Sequence, residues 1–295
     1  MLFDSHAHVA STTTSILFRP EYTIETIVHE MDYYHIDKSI VMVNPLFEIL
    51  KCPVDVHHKV AVQDTAEEGR LRLFCTHCRK ILYEGPDPVR QFNIELIEAT
   101  QRYPNRFFPM LYILLSNSTI PTEVKFYESN YPNAFTGYKL HPRFCFRSLE
   151  EIKNFPSIRP ILIHTGVDYP LTPTNVQFVK NYKGNIILAH AGRFDPELLA
   201  LGRVMKNVFI DTSPSSLMYK GRITDLVSPF NELISEPVDI YKYLIEYVGE
   251  DKILFGSDVP WGDYNDEIEI LNLAKLTPST YDKISHLNLI NALKY

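Results

Sequence analysis

Asp4-Ser5-His6-Ala7-His8 closes the first apolar run of the chain, and its two histidines stand one residue apart. Strand side chains alternate faces with a period of two, so His6 and His8 on a strand point the same way. Two imidazoles on one face of a strand end make half of a metal site. Further apolar runs, distant in sequence, end in groups of similar chemistry. They are Lys139 and His141 in Gly-Tyr-Lys-Leu-His-Pro, His164 in Ile-Leu-Ile-His-Thr-Gly, His190 in Ile-Ile-Leu-Ala-His-Ala-Gly-Arg, Asp211 with Thr212, and Asp258 in Gly-Ser-Asp-Val-Pro. Imidazole nitrogen and carboxylate oxygen suit zinc, iron or manganese. A catalytic ion with one position open to water lowers the pKa of that water toward neutrality, and a nearby carboxylate can take the proton and return it to a leaving group.

The elements that must position these groups alternate regularly. Eight short apolar runs read as strands: Leu2–Ser5, Ser39–Val43, Phe107–Ile113, Gly137–Leu140, Pro160–Ile163, Asn185–Ala189, Val208–Asp211 and Lys252–Gly256. Their richness in Val, Ile, Leu and Phe suits parallel strands buried on both faces. Between them, Ile24, Ile27, Val28 and Met31, then Ile240, Tyr243, Leu244, Tyr247 and Val248, recur at helical spacing. Asp195-Pro196-Glu197 opens another helix with a cap and a proline at its first position. Eight strand–helix units predict a (β/α)8 TIM barrel, one domain over residues 1–295, with its chemistry at the carboxyl ends of the strands. The rival open sheet signals itself by a glycine-rich first turn, and here that turn is His-Ala-His-Val.

On these motifs the chain resembles the amidohydrolase superfamily of metal-dependent TIM-barrel enzymes, and within it the broad second amidohydrolase family of hydrolases and decarboxylases. Asp-Ser-His-Ala-His resembles that family's opening motif. His-Thr-Gly, His-Ala-Gly-Arg and Gly-Ser-Asp-Val-Pro resemble its fifth-, sixth- and eighth-strand motifs, and Ile284 to Asn288 its closing helix. The resemblance implies a divalent ion, expected to be Zn2+, on His6, His8, His164 and Asp258. It implies Asp258 as proton shuttle and His190 beside the metal, polarising substrate or steadying the attacking water. Arg193 and Lys139 would hold a substrate carboxylate, and His141 is a further candidate for substrate binding or bridging. A branch of the superfamily instead carbamylates the fourth-strand lysine to bridge two metals, with His190 on the second. The expected reaction is hydrolysis of an amide, lactone or related bond; the alternative is a lyase that decarboxylates or hydrates an unsaturated acid.

Residues 50–85, after the second strand, break the rhythm, with a short helix expected near Val60–Gly69. Cys75-Thr-His-Cys78 has the knuckle spacing of a structural zinc site, with Cys52 as third ligand and His58, or else His57, as fourth. His77, inside the knuckle, is expected to point away. Such an insert would cover the barrel mouth or an oligomer contact, and a homo-oligomer is compatible with the sequence.

Composition narrows the rest. Of 295 residues, 45% are hydrophobic and 22% charged, as in an ordinary globular protein. The net charge of −7 and the lack of a basic block exclude a phosphate-backbone partner, so no nucleic acid is expected. No apolar stretch is long enough to span a bilayer, and charged residues interrupt the opening run as no secretory signal would allow; a cytoplasmic enzyme for small molecules is expected.

Overall fold

The computed structural model describes residues 1–10, 22–43, 52–55, 57–165, 173–219 and 236–294. Gly166 of the His-Thr-Gly motif and residues 50, 51 and 56 of the insert lie outside that set. The strands are β1 (Phe3–Val9), β2 (Lys38–Val43), β3 (Val60–Asp64), β4 (Leu71–Cys75), β5 (Ile81–Gly85), β6 (Phe107–Ile113), β7 (Gly137–Leu140), β8 (Ile161–Ile163), β9 (Ile186–Leu188), β10 (Val208–Asp211) and β11 (Ile253–Leu254). Eight of them form one parallel sheet in the order β1-β2-β6-β7-β8-β9-β10-β11. The ends of that sheet meet. Ser5 donates its amide to the Phe255 carbonyl at 2.9 Å, Asp258 to His6 at 2.7 Å and His8 to Val259 at 2.8 Å. These bonds close a (β/α)8 barrel, as the alternation predicts.

Helices cover the outside: α1 (Ile24–Tyr33), α2 (Arg90–Gln101), α3 (Ile120–Asn130), α4 (Pro173–Asn181), α5 (Pro196–Val204), α6 (Asp239–Tyr247) and α7 (Tyr264–Leu273). Each start has a local cause where a cap is present. The Asp195 carboxylate accepts from the amides of Glu197 and Leu198 at 2.8 and 3.1 Å, satisfying two donors that the first turn of α5 leaves open. Asp263 does the same for α7. Ile24, Ile27 and Met31 form the buried stripe of α1, and Ile240, Tyr241 and Leu244 that of α6.

Strand alternation then sorts the two apolar layers. Ile161, Ile163, Ile186, Leu188, Tyr138 and Leu140 belong to the layer between strands and helices. Phe3, Ile40, Met42, Met110, Leu162, Ile187, Phe209 and Leu254 fill the barrel interior, joined by Leu289 and Ala292 of the closing helix. The interior is therefore a packed core that leaves chemistry to its rim.

The insert corrects the sequence reading. Val60–Gly69 is not a short helix: Val60–Asp64 is a strand, paired antiparallel with β4, which pairs in turn with β5. Leu71, Leu73 and Cys75 are buried while Arg72 and Phe74 are partly exposed, a period-two pattern that favours a strand. Asp64 stitches this sheet to the barrel. Its carboxylate accepts from Ser116 Oγ at 2.9 Å, Asn117 Nδ2 at 3.2 Å and Arg147 Nη2 at 2.5 Å, on the loops that follow β6 and β7.

Candidate metal centre

The parity of the interior residues decides where the polar groups go. Tyr138 and Leu140 face the helices, so Lys139 faces in; it is fully buried. Two residues beyond Lys139 comes His141, two beyond Leu162 comes His164, and two beyond Phe209 comes Asp211. Each strand thus carries apolar bulk in the interior and a polar group on the same face at its carboxyl end.

Three ligand atoms form a tight triangle there. His6 Nε2 lies 3.1 Å from His8 Nε2, and Asp258 Oδ1 lies 3.4 and 3.3 Å from the two. Atoms bonded to one tetrahedral ion at 2.0–2.2 Å stand about 3.3–3.6 Å apart, so the triangle has the size of a coordination face. Burial, then the neighbouring Lys139, holds both imidazoles well below their usual pKa, so they are neutral and able to ligate. Burial pushes the Asp258 carboxyl up to about 8, against the pull of Lys139. A divalent ion would reverse that penalty. Lys139 Nζ stands 3.2 Å from His6 Nε2, and burial lowers its pKa to about 7 against the attraction of Asp258 and Asp211. His8 Nδ1 and His164 Nε2 are buried with no hydrogen-bond partner among the described residues. The donor set and its spacing fit a divalent ion.

Outside the triangle, Asp211 Oδ2 accepts from His6 Nδ1 at 2.9 Å, and Ser213 Oγ is 3.0 Å from the same nitrogen. The carboxylate fixes the proton on Nδ1 and turns the Nε2 lone pair toward Asp258. Gly256 makes room for it: a Cβ there would lie 2.8 Å from Ser5 Oγ and 3.0 Å from Asp211 Oδ1.

Asp4 was not among the expected site residues, and it holds the others in place. Fully buried, it accepts from the amides of His6 and Ser257 at 3.0 and 2.9 Å, from Ser257 Oγ at 2.8 Å and from Tyr264 Oη at 3.1 Å. Burial raises its pKa to about 7 despite these donors. Asp4 therefore fastens β1 to the segment that carries Asp258. Asp4→Ala leaves these donors buried and unpaired, and at 1–3 kcal/mol each it should lower unfolding stability by at least about 3 kcal/mol, read by urea titration.

The second half of the site centres on His190. Strand alternation would turn it outward, because Ala189 already faces in. The backbone instead enters a left-handed turn: His190, Ala191, Gly192, Arg193 and Phe194 have φ of 57°, 52°, 58°, 53° and 55°. The non-glycine residues in that region cost about 1–2 kcal/mol each. The turn brings His190 back to the mouth, where its Nδ1 donates to the Ser213 carbonyl at 2.8 Å. Its Nε2 is thereby left as a lone pair, and His164 Nδ1, 2.9 Å away, donates to it. His190 also has a ligand atom within 4.8 Å of those of His6 and Asp258. His164 packs its ring on His141 with centroids 3.6 Å apart, and its Nδ1 is bonded to His190. Arg193 donates its Nε to the Thr165 carbonyl at 3.1 Å, beside His164.

In the insert, Cys52, His58, Cys75 and Cys78 come together, with ligand atoms within 4.8 Å of one another. His57 is exposed, its amide bonded to Asp55 Oδ1.

No helix among the described residues is long and apolar enough to cross a membrane. A sequence model of the family described as Amidohydrolase matches residues 159–288. Among solved structures, the chain is similar to a probable 2-pyrone-4,6-dicarboxylic acid hydrolase from Acinetobacter baumannii, crystallised with citric acid. Identity is 16%, coverage 100% of this chain and 99% of that one, and TM-score 0.61. It is similar to 5-carboxyvanillate decarboxylase from Sphingomonas paucimobilis at 12% identity, 99% and 98% coverage and TM-score 0.64. A dihydroxybenzoic acid decarboxylase from Polaromonas sp. JS666, with bound manganese and 2-nitroresorcinol, matches at 13% identity, 99% and 96% coverage and TM-score 0.58. No curated protein sequence matches. Residues 159–288 thus match the amidohydrolase family, and the whole chain shares the barrel fold of the hydrolase and the decarboxylases above.

Proposed function

We propose that this enzyme is a divalent-metal-dependent hydrolase of a small carboxylate-bearing lactone, amide or related substrate. His6, His8, His164 and Asp258 would hold the ion, with His190 alongside. The observation that carries the reading is the triangle of His6 Nε2, His8 Nε2 and Asp258 Oδ1 at 3.1–3.4 Å. A bound ion supplies Lewis acidity and a more acidic water. Asp258, on the edge of the triangle, takes the proton of the attacking water and returns it to the leaving oxygen or nitrogen. His190 is a neutral imidazole beside His6 and Asp258; its Nε2 accepts from His164 Nδ1, which leaves the His164 Nε2 lone pair for the ion. Lys139 and Arg193 supply positive charge for a substrate carboxylate. A nitrogen-rich set favours Zn2+; manganese, present in two structural neighbours, is the competing ion.

A second reading is a metal-dependent decarboxylase. It is favoured by the buried Lys139 amine beside the ligand pole, a place for a carboxylate that departs as carbon dioxide. Product analysis separates the two. Enzyme loaded with zinc or with manganese is given lactones and conjugated carboxylic acids in 18O-water. Hydrolysis puts one heavy oxygen into the product and releases no carbon dioxide; release of carbon dioxide without that label overturns the hydrolase reading. Stripping the ion with a chelator should abolish turnover, and adding it back should restore it. Full activity in metal-free enzyme would sink both readings.

A further inference from the structure

We propose that Cys52, His58, Cys75 and Cys78 form a closed zinc site that fixes the insert sheet to the barrel. Its chemistry is separate from that of the barrel mouth. The Sγ atoms of Cys52 and Cys78 stand 3.8 Å apart. Two thiolates bound at 2.3 Å to one tetrahedral zinc are separated by about 3.8 Å. A disulfide requires about 2.05 Å, and all four cysteines of the chain are free. His58 Nδ1 lies 3.1 Å from Cys78 Sγ, on the same small polyhedron. Its other nitrogen, Nε2, faces Asp55 Oδ2 at 3.9 Å, and His77 stacks on its ring with centroids 4.2 Å apart. A second ring thus braces the imidazole, with a carboxylate on its outer side. His77 is not one of the four groups that come together; it braces the ligand ring.

The backbone is folded to receive anionic sulfur. Cys78 donates its amide to Cys75 Sγ at 3.2 Å, and Arg79, at φ 60°, returns its amide to the Cys75 carbonyl at 2.9 Å. Four protein ligands leave no position for water, which makes the site structural. The insert has use for it. Its three strands have five residues each, too little sheet to order itself, and Val60, Val62, Leu71 and Leu73 are its buried apolar contribution. Asp64 pins the far end of β3 to the barrel loops. Zinc would fasten the near end, where Lys59 Nζ lies 5.3 Å from the Phe146 ring centroid.

The test uses the full-length enzyme, with metal counted by mass spectrometry and Co2+ as a coloured substitute for zinc. Wild type should show thiolate-to-cobalt charge transfer and the intense visible bands of a tetrahedral ion. Cys75→Ser and Cys78→Ser should each lose one equivalent of zinc and that charge-transfer band. Asp258→Asn and His57→Ala should keep both, which separates this ion from any at the barrel mouth. His58→Cys should retain the ion and move the visible bands to longer wavelength, a result that does not depend on the serine variants folding. A wild-type protein whose cobalt form lacks thiolate charge transfer would overturn the proposal. So would a His58→Cys protein with unshifted bands.

Discussion

Asp258→Asn should lower kcat/KM about a thousandfold or more, with the fold intact. The substitution conserves volume and leaves the bond from the residue 258 amide to the His6 carbonyl in place. It removes the negative charge that completes the triangle with His6 and His8, and it removes the group that accepts a proton. General acid–base catalysis contributes about 10²–10⁴-fold, and weakened ion binding adds to the loss. Steady-state kinetics at saturating metal, with the metal content of the same sample counted, separate the two effects. Activity within tenfold of wild type at full metal loading would remove Asp258 from the chemistry.

Asp211→Asn should weaken metal binding about 10–100-fold, although residue 211 lies outside the triangle. The argument rests on hydrogen-bond polarity. Asp211 Oδ1 accepts from the Ser213 amide at 2.6 Å, and Oδ2 accepts from His6 Nδ1 at 2.9 Å. An asparagine has one acceptor and cannot serve both. If its oxygen stays with Ser213, its amino group meets His6 Nδ1, and His6 must move its proton to Nε2. That places a hydrogen where the lone pair toward Asp258 should be. Competition with a chromogenic chelator would give the affinity, and excess metal should restore much of the lost turnover. Unchanged affinity would mean that the His6 tautomer is set by Ser213 instead.

Much of this site can be read from strand parity. The positions two beyond Leu162 and two beyond Phe209 are His164 and Asp211, and Lys139 sits between two residues that face the helices. A reader who identifies the strands can therefore list most groups at the rim. Three features escape that reading for physical reasons. Asp4 looks like one acid in an apolar strand; its partners Ser257 and Tyr264 are more than 250 residues away, and only barrel closure brings them near. His190 breaks parity through a left-handed backbone that the sequence does not mark except at Gly192. The insert strands have the alternation of Leu71, Leu73 and Cys75, but they are only five residues long. The family motifs imply His164 in the ligand set; in the structure its Nδ1 is bonded to His190 and its ring lies on His141.

The closing of the barrel has a consequence for how the enzyme opens. His6 and His8 lie in the first strand, Asp258 follows the last, and the amides of Ser5, His8 and Asp258 span the join between them. A cation shared by these residues would act as a rivet between the first and last strands. Adding metal should therefore slow deuterium uptake at those three amides together, far more than at the helices. Limited proteolysis of the stripped enzyme should begin by freeing the amino-terminal strand.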